Sequence, residues 1–124
     1  MNTKPQQFKR LKSTLVFDQL FEKGSSVKAF PLRLKYLRLN ENDQLPTTVF
    51  TGFSVPKRLH KKATARNHLK RLMREVYRKY RTDFHTKESN YAFLFLYMSP
   101  EAMDYHQLER ALLKLLKKFN DENT

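Results

Sequence analysis

The alternation of apolar and polar positions divides the chain into a few readable segments. Ser13 or Thr14 can cap a short helix running to about Lys23, with Val16, Phe17, Leu20 and Phe21 at helical spacing. Gly24, Ser25 and Ser26 then end it. From Leu32 to Leu39 apolar and basic residues alternate with the period of a half-buried strand. Asn40 to Pro46 is a polar turn, and Thr47 to Val55, rich in Thr, Val and Phe, predicts a second strand pairing back on the first. From Ala63 to Tyr80 the period lengthens to that of a helix, with Leu69, Leu72, Met73, Val76 and Tyr80 on one face. Tyr91 to Met98 is a nearly continuous apolar run, as a strand buried on both faces requires. Ser99 and Pro100 open a last helix whose buried stripe carries Tyr105, Leu108, Leu112, Leu115, Leu116 and Phe119. The predicted order is α-β-β-α-β-α, or the same with the first strand split. The fold class is α+β: a single-domain α/β sandwich over residues 13–120, after a flexible basic segment 1–12 and before a tail 121–124.

Composition narrows the class. With 124 residues, one domain with one modest core is expected. There is no cysteine, which excludes disulfides and thiolate chemistry. The longest apolar run is far short of the ~20 residues of a membrane span. Met1 to Lys12 lacks the apolar stretch of a signal peptide, so a cytoplasmic location is expected. Twenty-five Lys and Arg against twelve Asp and Glu give a net charge of +13. Self-repulsion of that size points to a polyanionic partner.

The charge is concentrated. Between Lys57 and Arg81 there are eleven Lys and Arg and one acid, Glu75, whereas residues 82–124 carry five basic and seven acidic groups. On a helical wheel Arg66, Lys70, Arg74, Asn67, Arg78 and Arg71 fall within an arc of about 140°, opposite the apolar stripe. A solvated charged face normally mixes both signs for i,i+4 pairing, and this one does not. Arg forks match phosphate oxygens, and Asn67 can bond sugar or base edges.

These residues resemble the ribonuclease P protein family, whose signature is an Arg-Asn-Arg-x-x-[Lys/Arg]-Arg-type helix after a strand ending in a basic step. Here Ser54-Val55-Pro56-Lys57-Arg58 and Lys61-Lys62-Ala63 precede Arg66-Asn67-His68-Leu69-Lys70-Arg71-Leu72-Met73-Arg74-Glu75. His68 stands where the motif has its third residue, an Arg. The resemblance extends over nearly the whole chain and implies a left-handed βαβ crossover with the basic helix as the crossover element. It also implies the protein subunit of a ribonucleoprotein that removes the 5′ leader of precursor tRNA.

In that reading a catalytic RNA binds the Mg²⁺ and carries the chemistry, no protein residue is catalytic, and the protein alone is inactive. A monomeric protein docks one-to-one through Lys57, Arg58, Lys61, Lys62, Arg66, Asn67, His68, Lys70, Arg71 and Arg74. A cleft between sheet and first helix grips the single-stranded leader, with Phe17, Phe21 and Tyr36 at its aromatic positions. Bases stack on such rings with little sequence preference. Phe17 and Phe21, at i and i+4, are equally readable as core, while Tyr36, among basic neighbours, is expected to be exposed. The acids Asp18, Glu22, Glu41, Asp43, Glu75 and Asp83 are scattered, so no carboxylate cluster for a metal is expected in the protein. His60 and His68 lie in the phosphate-binding region and are read as contacts rather than as a two-histidine nuclease site. A ribosomal-type RNA binder shares the charge argument but not the aromatic cleft. DNA binding lacks a helix–turn–helix, and membrane attachment would take an apolar face the core needs.

Overall fold

The most apolar segment of the chain lies in the middle of its sheet. In a computed structural model, which describes residues 6–39 and 47–123, the central strand is β5 (Tyr91–Tyr97). The other strands are β1 (Gln6–Arg10), β2 (Ser25–Ala29), β3 (Leu32–Arg38) and β4 (Thr47–Ser54), in the sheet order β1-β4-β5-β3-β2. Three helices, α1 (Thr14–Lys23), α2 (Ala63–Tyr80) and α3 (Tyr105–Glu122), and a 3-10 turn at Arg81–Asp83 complete the fold.

Strand alternation explains how one run of seven residues serves two faces. Tyr91, Phe93, Phe95 and Tyr97 point to one side with Leu32, Leu34, Val49 and the buried stripes of α2 and α3. Phe84, Phe93, Phe95 and Phe119 interlock there with ring centroids 5.2–6.3 Å apart, mostly edge to face. Each such side chain, fully buried, contributes about 1.5–3 kcal/mol. Ala92 and Leu94 point to the other side, where α1 covers them through Leu20 and only partly shields Phe17, Leu37, Phe50 and Leu96. One face of the sheet is thus a closed core, and the other is half open.

Several expectations are corrected. Residues 6–10 of the lead-in are an edge strand, β1, parallel to β4, so the segment is not a free tail there; residues 1–5 lie outside the described part. The predicted turn Asn40–Pro46 also lies outside it. Ser25 and Ser26 do not simply end the first helix but begin β2, which pairs antiparallel with β3. β4 does not pair back on β3: it pairs parallel with β5, which separates the two. The β4–α2–β5 connection is therefore a parallel βαβ unit with the basic helix as its crossover. α3 starts at Tyr105, not at Ser99-Pro100, because Asp104 and Gln107 form a reciprocal capping box. It continues to Glu122, through the first two residues of the predicted tail.

Candidate nucleic-acid interface

α2 is held to the sheet by Leu69, Met73, Val76 and Tyr77, which turns its basic arc outward. Tyr77 fixes the helix further: its hydroxyl accepts from Thr51 Oγ1 at 3.0 Å, and burial pushes the phenol up to about 12. No acid lies in the first turn, and Lys62 at the N-cap supplies no side-chain bond. The first amides of α2 therefore face the basic loop without a carboxylate to neutralise them.

The predicted docking residues do not share one environment. Lys57, Arg58, Lys61, Lys62, Asn67, His68, Arg71 and Arg74 are exposed, and Arg66 and Lys70 are half-buried. Arg66 folds back, its Nη1 donating to the carbonyls of His60 at 3.0 Å and Lys61 at 2.8 Å, so it braces the loop leading into α2. Arg71 pairs with Glu75 at 3.2 Å. His60, read from the sequence as a contact, is instead buried: its Nε2 meets the Ser99 carbonyl at 2.8 Å and its ring stands edge-on to Tyr97. It fastens the basic loop to the end of β5.

A groove of about 660 Å³ opens where β1 stops at Arg10 while β4 runs on to Ser54. Phe8, Leu11, Gly52 and Phe53 floor it, and Phe17 of α1 and Asn67 of α2 reach it from either side. Six cations line it, Lys9, Arg10, Lys70, Arg74, Arg78 and Arg81, and no described acid does. Arg81 lies 4.4 Å above the Phe8 ring and Arg74 5.6 Å from the Phe53 ring, positions that hold each guanidinium in place by cation–π attraction. Such a surface can hold phosphates and stack bases at once.

The three predicted cleft aromatics separate. Phe17 is half-buried in the groove wall. Phe21 is 57% exposed on α1, with Lys35 Nζ 4.7 Å above its ring. Tyr36 is not exposed but 6% accessible, on the opposite face of the sheet, edge-on to Phe119, with its hydroxyl donating to Glu122 at 2.6 Å. Burial first, and then that bond, raise its pKa. On β3 the charged residues that share the open face with α1 and Leu37 are Lys35 and Arg33, the latter bonded to Ser26 Oγ at 3.2 Å. Sequence reasoning missed Phe8, Lys9, Arg10, Phe53, Arg78 and Arg81 as groove residues, although Arg78 was already in the basic arc. Among the described residues no three of His, Asp and Glu come together as a metal site, and no helix is long and apolar enough to cross a membrane.

Comparison with known proteins gives one answer. The family model described as Ribonuclease P matches residues 6–120. The ribonuclease P protein component of Porphyromonas gingivalis is 32% identical over 101 residues, covering 78% of this chain and 72% of the relative. Among solved structures, the RNase P protein of Staphylococcus aureus superposes with a TM-score of 0.69 at 24% identity, covering 88% of this chain and 93% of that one. The RNase P protein of Thermotoga maritima gives a TM-score of 0.69 at 24% identity, covering 88% and 96%. These two likenesses speak to the fold.

Proposed function

The chain belongs to the ribonuclease P protein family, and on that premise we infer how its surfaces serve the ribonucleoprotein that removes the 5′ leader from precursor tRNA. The protein is a subunit of a ribonuclease complex with an RNA partner. The outward arc of α2 and the loop before it, Lys57, Arg58, Lys61, Lys62, Asn67, the half-buried Lys70, Arg71 and Arg74, with His68 at its margin, dock on that RNA. Arg66 contributes by holding the loop in shape as well as by its charge. Each phosphate neutralised releases counterions, which makes the docking strong and salt-dependent.

The half-open face and the groove beside it take the single-stranded leader, with Asn67, Lys70 and Arg74 on the boundary where the leader meets the docked RNA. Phe17, and Phe21 with Lys35 above it, offer rings and cations on α1 and β3, and the groove continues the same surface toward α2. Tyr36 has no part in this, because it is buried beneath the other face. The observation that carries the reading is the groove itself: six cations and three partly accessible aromatic rings, Phe8, Phe17 and Phe53, around one open channel.

The RNA supplies the chemistry and holds the Mg²⁺ that assists phosphodiester hydrolysis, and one protein binds each RNA in the cytoplasm. Among the described residues no three carboxylates or histidines gather as a metal site, and no acid lines the groove. The protein's own contribution is to bind, orient and screen phosphate charge, and it is inactive alone. The test is reconstitution at near-physiological Mg²⁺ with a leader-bearing precursor tRNA and the family's RNA subunit. Protein with RNA should cleave at the mature 5′ end where RNA alone is slow and protein alone does nothing. RNA binding without any effect on cleavage would instead make the chain a general structured-RNA binder.

A further inference from the structure

The turn between β2 and β3 carries the most exposed large apolar side chain among the described residues: Phe30 is 71% exposed. Pro31 beside it is buried, and its carbonyl accepts from the backbone N–H of Met98 at 2.7 Å. Met98 is 37% exposed. A single exposed hydrophobic residue is ordinary on any surface. What distinguishes Phe30 is its neighbourhood.

Strand register places the turn. Leu32 pairs with Tyr97, and Leu96 pairs with Ser54, so the Phe30-Pro31 turn, the end of β5 and the end of β4 lie at one end of the sheet. With strands ~4.8 Å apart, the turn lies about 10 Å from the point where β4 enters the basic loop. His60 ties that loop to Ser99, the residue after Met98. Lys57, Arg58, Lys61 and Lys62 are all exposed in the loop, and Lys28 is exposed in β2. Two acids, Glu101 and Asp104, follow Met98, and the Asp104 carboxylate is occupied in accepting from the Gln107 amide at 2.9 Å. An unpartnered aromatic ring thus stands beside a cluster of cations at the end of the sheet where α2 begins. The cations make a polyanion, rather than an apolar protein surface, the fitting occupant.

We propose that Phe30 is a base-stacking contact to the RNA partner, its ring lying on an unpaired nucleobase while the neighbouring loop lysines and Arg58 hold the flanking phosphates. This rests on the assignment of the loop and α2 as the docking surface. A phenyl ring has no hydrogen-bonding group, so the contact accepts any base that the RNA leaves unstacked. It adds affinity and register without reading sequence.

The chain contains no tryptophan, so Phe30→Trp installs its one indole at this spot, which can be excited at wavelengths where the tyrosines do not absorb. Titrated with ribonuclease P RNA, the Phe30→Trp protein should bind about as tightly as wild type and lose emission as the base stacks on the indole. Phe30→Leu keeps an exposed apolar side chain but removes the ring, and should weaken RNA binding roughly 5- to 150-fold, the range of one base–aromatic stack. Its far-UV spectrum and urea midpoint should match wild type. Unchanged emission with RNA bound, or wild-type affinity for Phe30→Leu, overturns the proposal. So does quenching by a leader oligonucleotide but not by the RNA partner, which would move the ring to the substrate. A wild-type protein that fails to bind the RNA at all sinks the docking assignment, and this contact with it.

Discussion

Glu75 is the one acid between Lys57 and Arg81, and its removal should strengthen RNA binding. In the free protein its carboxylate takes the Arg71 guanidinium at 3.2 Å, with side chains 44% and 74% exposed respectively. An exposed i,i+4 pair of this kind stabilises a helix by about 0.3–0.5 kcal/mol. That amount must be returned when Arg71 turns to a phosphate, and the carboxylate left behind repels the same phosphate. Glu75→Gln removes both costs. Together they amount to roughly 0.5–1 kcal/mol, an affinity gain of about two- to fivefold. Stability should fall by no more than ~0.5 kcal/mol, since only the exposed pair is lost. The assay is equilibrium binding to the RNA partner across a series of KCl concentrations. Because the carboxylate of Glu75 no longer offsets the charge Arg71 brings to its phosphate, the slope of log affinity against log salt should steepen by up to about 0.7–0.9. Arg71→Gln should move both quantities the other way. Weaker binding by Glu75→Gln would refute the reasoning, since it would mean that the carboxylate aims Arg71 rather than restraining it. Unchanged affinity and slope would place Arg71 outside the interface.

Two further substitutions probe the supports of the site. Leu20 is the one buried residue of α1, so Leu20→Ala should destabilise the fold by about 2–5 kcal/mol and loosen the helix that carries Phe17 and Phe21. Preference for precursor over mature tRNA should fall more than affinity for the RNA partner, and equal losses would argue against α1 as a wall of the leader site. Glu109 accepts from Tyr80 at 2.7 Å and Lys79 at 3.0 Å, bonds that hold its carboxyl below the usual range. A carboxyl lowered in the folded state contributes stability above its unfolded pKa and loses it as pH falls through the folded value. The urea-midpoint gap between wild type and Glu109→Gln should therefore be widest near neutrality and close in acid, and a gap constant with pH would contradict the assignment.

What could be read from the sequence was local. The limits of α2 follow from its apolar period, and Ser13, one of two possible caps for α1, does accept from the Val16 amide at 3.3 Å. Tyr36 was legible too, since Leu32, Leu34 and Tyr36 fall on one face at period two. The basic residues between them, Arg33 and Lys35, belong to the opposite face and say nothing about its exposure. The start of α3 had its own signal in Asp104 and Gln107, a capping-box spacing that outweighs Ser-Pro upstream. β1 had no such signal. Its five residues are mostly polar, and the strand exists because β4 offers a free edge, a partner more than thirty residues away. With β1 unread, Phe8, Lys9 and Arg10 could not be placed in the groove. Likewise the charge pattern treats every cation of the motif alike, whereas Arg66 is spent on two carbonyls of the preceding loop.

The site arises where the core is left unfinished. Two eighteen-residue helices close one face of the sheet, while the other receives only the ten residues of α1, about 15 Å of helix. Five strands at ~4.8 Å spacing are too wide for one such helix to cover. Leu96, Phe50 and Phe17 therefore stay half-shielded, with Lys35, Arg33 and the groove cations beside them. Extending α1 to cover that face would improve burial and remove the surface where rings and cations meet. Incomplete packing on this one face is what leaves apolar and cationic groups together, and a single-stranded polyanion with exposed bases satisfies both.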